Sequence, residues 1–285
     1  PNALPLPFLA VYALLPAVTG AAASGRIDVV VAAIVLPRVA RGIYLAWHPD
    51  ALGTMRGRCV RAGLWLAIAA AFAPLVWVIT ALVCATVIAA GYFLPDVATT
   101  DDANVGVPFV DRLRAAGGIL AIPLLVLLPW SLHVVVHPSL LFSGSGMAEF
   151  YGSHSAPSGL SLTFLHAGGS GEPPVWVGIP IVAAVILGLR RDSRLTAART
   201  GAGIFALGLM IAVLQTRSAG VTAGYPSTRH WPGLVLLIAG AGALLAALVA
   251  AVGARPALRD QSFSWRQPVA VAVVILALAS TVTLV

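Results

Sequence analysis

Lysine is missing from this chain: all 17 of its basic residues are arginines. Charge as a whole is scarce, at 9% of 285 residues, where a soluble domain carries about 25%. A chain this poor in charge cannot clothe a water-facing surface, which excludes an ordinary soluble domain. With 59% hydrophobic residues and a mean hydropathy of +0.96, most of the chain is built for lipid as its solvent. The two cysteines, Cys59 and Cys84, exclude a disulfide framework and have neither metal nor redox spacing. Cys84 lies inside an apolar run and reads as a small buried hydrophobe. There is no GxxxxGK[ST] phosphate loop, no HExxH helix and no CxxC pair.

The formal net charge of +7 does not point to nucleic acid, because no basic patch is interleaved with aromatics. The arginines sit at the ends of apolar runs, where they set orientation and meet anionic head groups. Arginine without lysine, in a background of Ala, Gly, Val and Pro, is the composition of a GC-rich bacterial genome. The first residues show no initiator Met, no basic n-region and no signal-cleavage pattern, and the last ones stop inside an apolar run. The expectation is a piece of a longer polypeptide, with any catalytic domain outside it.

The apolar runs place membrane crossings near 5–23, 27–47, 62–73 with 75–94, 115–136, 173–189, 200–216, 231–252 and 268–285. A crossing needs about 20 residues. The fold class expected is therefore all-α: one polytopic transmembrane helical bundle over 1–285. The uncharged stretch 62–94 is too long for one ordinary span, and Pro74 divides it. Read once, it is a kinked helix; read twice, a tight hairpin. Arginine-rich joints at 38–61, 190–199 and 255–266 belong on the cytoplasmic side. Only the hairpin reading puts all three there, giving about nine crossings, or about eight without it. Residues 24–28 and the long loop 137–172 then lie outside the cytoplasm. His48 to Arg61 reads as a polar joint, and Trp130, Trp176 and Trp231 as interface anchors. The run Gly240-Ala241-Gly242-Ala243 supplies small residues for close helix packing.

Ionisable groups between membrane runs are functional candidates by default. Arg26 and Asp28 come first, two residues apart in the break between the first two runs. They read either as a turn pairing with itself or with lipid phosphate, or as a polar mouth for a phosphate or sugar hydroxyl. Arginine suits phosphate because its planar fork binds in bidentate fashion. His133 and His137, four apart, share a helical face. Without a carboxylate nearby they form a weak metal site, or simply a pair satisfied by water and backbone, and no metal is assigned. Pro138 ends their helix. The long loop holds Glu149, His154 and His166, from which an acid or base could be drawn, or which are solvated loop residues. Asp101-Asp102 reads as a polar loop, with no Rossmann-like strands around it.

One set of short runs occurs in order: Tyr12-Ala13-Leu14-Leu15-Pro16-Ala17-Val18-Thr19-Gly20, then Gly25-Arg26-Ile27-Asp28-Val29-Val30-Val31-Ala32 with Leu36-Pro37. Ala71-Phe72-Ala73-Pro74-Leu75-Val76-Trp77 follows, then Leu128-Pro129-Trp130-Ser131 with His137-Pro138-Ser139-Leu140-Leu141, and last Pro174-Val175-Trp176-Val177-Gly178. In this order they resemble the membrane half of large actinobacterial family-2 glycosyltransferases, in which a soluble nucleotide-sugar transferase domain precedes a multi-pass region. The chain is also loosely similar to polytopic transferases that use polyprenyl-phosphate sugars. Those carry a catalytic carboxylate in an external loop near their first helix, and no such loop is present.

The resemblance implies the membrane-embedded portion of a bacterial cell-envelope glycosyltransferase, in the plasma membrane, seating the enzyme and handling a lipid-linked glycan donor or acceptor. Its catalytic residues stay unassigned. The candidates for substrate or lipid contact are Arg26, Asp28, His137, Glu149 and His154. No cofactor belongs to this segment; a divalent metal would sit in the missing domain. The partners implied are membrane lipids and a polyprenyl-phosphate-linked sugar or envelope glycan, with no nucleic acid. The alternatives are a permease or flippase subunit and a non-catalytic membrane scaffold. The charges at the ends of the runs count against transport.

Overall fold

A computed structural model describes residues 6–47, 54–93, 109–142, 157–168, 178–189, 195–217, 219–220 and 228–259. Helices dominate these residues: α1 (Leu6–Val18), α2 (Ile27–Trp47), α3 (Met55–Phe72), α4 (Leu75–Phe93), α5 (Phe109–Val126), α6 (Trp130–Val136), α7 (Gly159–Thr163), α8 (Ile179–Leu189), α9 (Leu195–Arg217) and α10 (Gly233–Arg259). A 3-10 turn covers Pro138–Phe142. A pair of two-residue strands, β1 (Ala219–Gly220) and β2 (Thr228–Arg229), runs antiparallel with Ala219 opposite Arg229. The described residues are thus predominantly helical, as expected of the composition. Ile27–Trp47 and Ala198–Arg217 are long and apolar enough to cross a membrane. A third span is reached if α5 and α6, bent by 104°, are taken together. Phe8–Val18, Leu75–Ala89 and Gly233–Val249 are apolar but shorter.

The chain divides into two compact units, one of residues 1–29 and 148–285, the other of 30–147. In the second unit, α2 packs on α3 where Gly42 faces Ala62; a Cβ on Gly42 would stand 2.7 Å from that of Ala62. The Arg38 guanidinium lies 4.9 Å from the centre of the Trp65 ring, and the Arg58 guanidinium donates to the Leu45 carbonyl at 2.6 Å. Gly63 admits Ile122 of α5 in the same way, with a would-be Cβ contact of 2.7 Å. Trp77 of α4 donates its indole N–H to Leu120 O at 2.9 Å.

Several boundaries differ from the expectation, each for a local reason. The first helix stops at Val18, before 23, because Gly20 and Gly25 adopt φ of 78° and 64° and end helical propagation there. Arg56, Arg58 and Arg61 do not lie in a joint but in α3, which starts after Thr54 caps it by accepting from the Gly57 N–H at 3.2 Å. The run 62–94 is interrupted at Ala73–Pro74, as its proline requires. The run 115–136 starts earlier, at Phe109, and breaks at 127–129. Pro129 lacks an N–H for the helical ladder there, while Pro123 is accommodated inside α5. Ser131 Oγ supplies a donor to the Leu124 carbonyl at 2.8 Å. The loop 137–172 contains the 3-10 turn and α7. The expected crossing 268–285 lies outside the described residues.

In the first unit, α9 and α10 form the main seam. Added Cβ atoms would meet backbone at 2.7 Å on Gly201 (Gly242 O and Ala246 N) and the Ala239 Cβ at 2.7 Å on Gly208. Gly242 of the small-residue run sits in this seam, as expected of it. The α8 and α1 helices also pack on α10. On the α1 side, Leu15 and Leu165 press on Gly240, and both leucines are fully buried.

Candidate functional site

The site is built from three turns of the first unit. The turn after α1 holds Thr19 against the helix end, its Oγ1 donating to Leu15 O at 3.1 Å. The Arg26 N–H then donates to Ala21 O at 2.9 Å. This folds the break between the first two runs back on itself. Arg26 is left 8% exposed and Asp28 5% exposed. Asp28 stands in the first turn of α2, where a negative charge complements the helix dipole.

The second turn follows α7. Leu165 takes φ 65° and Gly168 φ 81°. The His166 N–H donates to Ser161 O at 2.9 Å, and its side chain is 3% exposed. The third segment, between β2 and α10, carries His230 and Trp231. The Trp231 indole N–H donates to Gly168 O at 3.1 Å, tying it to the second turn. Its ring lies against Gly233, where any Cβ would stand 2.0 Å from ring carbon Cη2. The Arg26 guanidinium lies 5.0 Å from the ring centre, tying it to the first turn.

A chain of contacts therefore runs from Arg26 through Trp231 to Gly168, and Arg26 is close enough for its charge to act on the Asp28 carboxylate. Burying charge is expensive unless it is paired. Here an arginine is buried on an aromatic face with a carboxylate nearby. Asp28 Oδ1 and His166 Nε2 are buried with no hydrogen-bond partner among the described residues. Buried polar atoms without partners are few in folded proteins. Chemically, Arg26 offers a guanidinium suited to phosphate and Asp28 a carboxylate oxygen suited to hydroxyls, while His166 is a buried imidazole on the turn that Trp231 ties in. His230 is half-buried, and that burial lowers its pKa from the ordinary value of 6.5.

Of the residues singled out in the sequence, Arg26, Asp28 and His166 fall in this one unit. His166 is a buried residue, not a solvated loop residue, and Trp231 is a packed member of the site at 8% exposure, not an interface anchor. The segment Arg229-His230-Trp231-Pro232-Gly233 could have flagged it: a glycine two residues after a tryptophan leaves room for the ring. Glu149 and His154 lie outside the described residues, as do Asp101-Asp102 and Trp176.

His133 and His137 lie in the other unit, with ring centres 4.5 Å apart and both rings exposed. That unit also contains a cleft of about 120 Å³ whose lining includes Trp77, Pro123, Leu127, Trp130, Val134 and Pro138. Of its polar groups, Trp77 Nε1 and Ser131 Oγ are engaged by backbone carbonyls, and the walls offer mainly hydrocarbon contact. Among the described residues, no group of three or more His, Cys, Asp or Glu is placed to hold a metal ion. Comparison with protein-family profiles, characterised proteins and solved structures finds no match for this chain.

Proposed function

We propose that this chain is the membrane-embedded portion of a bacterial cell-envelope glycosyltransferase, which handles a lipid-linked glycan. The observation that carries the reading is the burial of Arg26, on the face of Trp231, and of Asp28 two residues on; among the described residues no other acidic or arginine side chain is buried. Buried ionisable groups between apolar segments are retained for a task. An arginine fork and a carboxylate suit the phosphate and hydroxyls of a polyprenyl-phosphate sugar. In this reading the chain crosses the plasma membrane about eight or nine times, with the 24–28 turn and the 137–172 loop on the outer face. Large apolar side chains left open on helices support a lipid surroundings: Ile34 is 59%, Leu125 66% and Val136 71% exposed.

The experiment uses the full-length protein in native membranes and measures sugar transfer from a polyprenyl-phosphate donor to envelope glycan. Arg26→Lys keeps the charge and loses the fork; Asp28→Asn keeps the shape and loses the charge. Each is expected to lower transfer by about 10-fold or more. Unchanged transfer at normal expression removes both residues from the site.

One observation favours a second reading, a flippase or permease subunit. The α5–α6 pair is broken at 127–129 and bent by 104°, and discontinuous helices are common where transporters hold substrate. Translocation of a fluorescent polyprenyl-phosphate lipid in proteoliposomes, without a sugar acceptor, would support it. A scaffold would show neither activity.

A further inference from the structure

We propose that His133 and His137 form a chelating site for a divalent transition-metal cation of the zinc, nickel or copper class. The two residues are one helical turn apart at the end of α6, with ring centres 4.5 Å apart and a tilt of 41°. Both rings are exposed, so a cation reaches them without unfolding the helix. His137 is the C-cap residue, and its Nδ1 lies 3.3 Å from the His133 carbonyl oxygen. A carbonyl only accepts, so this contact selects the neutral tautomer with the proton on Nδ1, which leaves the lone pair on Nε2. This is the arrangement in which imidazoles ligate metals: one ring nitrogen donates to a backbone carbonyl, which holds the tautomer and the ring, and the other binds the cation. The same carbonyl also accepts the His137 backbone N–H at 3.0 Å, so the ring is held from two points.

Imidazole nitrogen selects zinc, copper and nickel over magnesium and calcium. Two imidazoles fill half of a tetrahedral shell and leave positions open to water or to an oxygen ligand. The assignment stands independently of the glycosyltransferase reading, since it rests only on α6 and its C-cap residue.

The test uses the whole chain in detergent or lipid nanodiscs, carried on an affinity tag without histidine. Trp130 precedes His133 by one helical turn and serves as a local reporter. Copper(II) alone is titrated and tryptophan quenching is followed. Saturable quenching by one cation per chain is expected, reversed by EDTA. His133→Ala and His137→Ala should each raise the midpoint by about 10-fold or more, with helicity by circular dichroism unchanged. His137→Gln, which keeps a polar cap, should behave like His137→Ala. Trp130→Phe should remove most of the saturable signal, and His48→Ala and His154→Ala should leave the midpoint in place. Midpoints within about twofold of the parent in both His133→Ala and His137→Ala would overturn the site. So would saturable quenching that persists undiminished in Trp130→Phe.

Discussion

The guanidinium carbon of Arg26 sits 5.0 Å from the centre of the Trp231 ring. Three segments remote in the chain meet through this contact, because Trp231 also donates its N–H to Gly168 O. A buried arginine over an indole is stabilised by the negative face of the ring, and more so where water is excluded. The contact gives a direct means of testing the cluster.

A double-mutant cycle of Arg26→Gln and Trp231→Leu, followed by denaturant unfolding in detergent, should return a coupling of about 0.5–2 kcal/mol. Trp231→Phe keeps a ring face and removes the indole N–H. It leaves the Gly168 carbonyl without that donor and should destabilise by about 1–3 kcal/mol. A coupling indistinguishable from zero would mean that the two side chains are neighbours and nothing more.

Two glycines give opposite expectations. Gly233→Ala puts a Cβ 2.0 Å from the Trp231 ring. The ring must move, which should cost about 1–3 kcal/mol and shift the tryptophan emission. Gly203 is helical and open, with nothing within 4 Å of its would-be Cβ. Gly203→Ala should therefore be neutral or stabilising by up to about 1 kcal/mol. Thermal unfolding of the two variants in one detergent checks both.

Burial lowers the His230 pKa from 6.5, so the folded state takes up this proton less readily than the unfolded one. The stability linked to His230 is complete above the unfolded value of about 6.5 and is lost as pH falls through the lower folded value. Melting temperatures recorded from about pH 7.5 to about pH 5 should fall less steeply for His230→Gln than for the parent protein. Parallel curves would count against the assignment.

Cys59 and Cys84 are 7% and 1% exposed. Thiol chemistry needs access, so neither should react with a maleimide in the folded protein, and both should react after denaturation. Single-cysteine variants analysed by mass spectrometry report each site separately. Rapid labelling of Cys84 before unfolding would contradict the packing of α4.

The helices were legible because an apolar chain in lipid must satisfy its backbone internally. Pro74 likewise marked its interruption in advance. The bend at 127–129 was hidden, since hydropathy runs unbroken across Leu127-Leu128 and does not register geometry. Charged helix starts were also missed. Asp111 and Arg114 pair at 3.1 Å on the surface of α5, and Arg58 reaches back to Leu45 O. These contacts let charged residues sit within a helix where composition alone indicated a joint. Arg26 and Asp28 stood out as charges between apolar runs. His166 and Trp231 did not, because their partners are far away in sequence.

The sequence by itself determined that the chain is helical, apolar and poor in charge, since those properties are sums over local composition and proline position. It also marked where its few charges would matter. Tertiary structure alone decided that Arg26 and Asp28 point inward. That outcome depends on two left-handed glycines turning the chain back, and on a tryptophan from a distant segment taking the guanidinium on its face. Burial and pairing of this kind belong to contacts between remote residues, which no local pattern encodes.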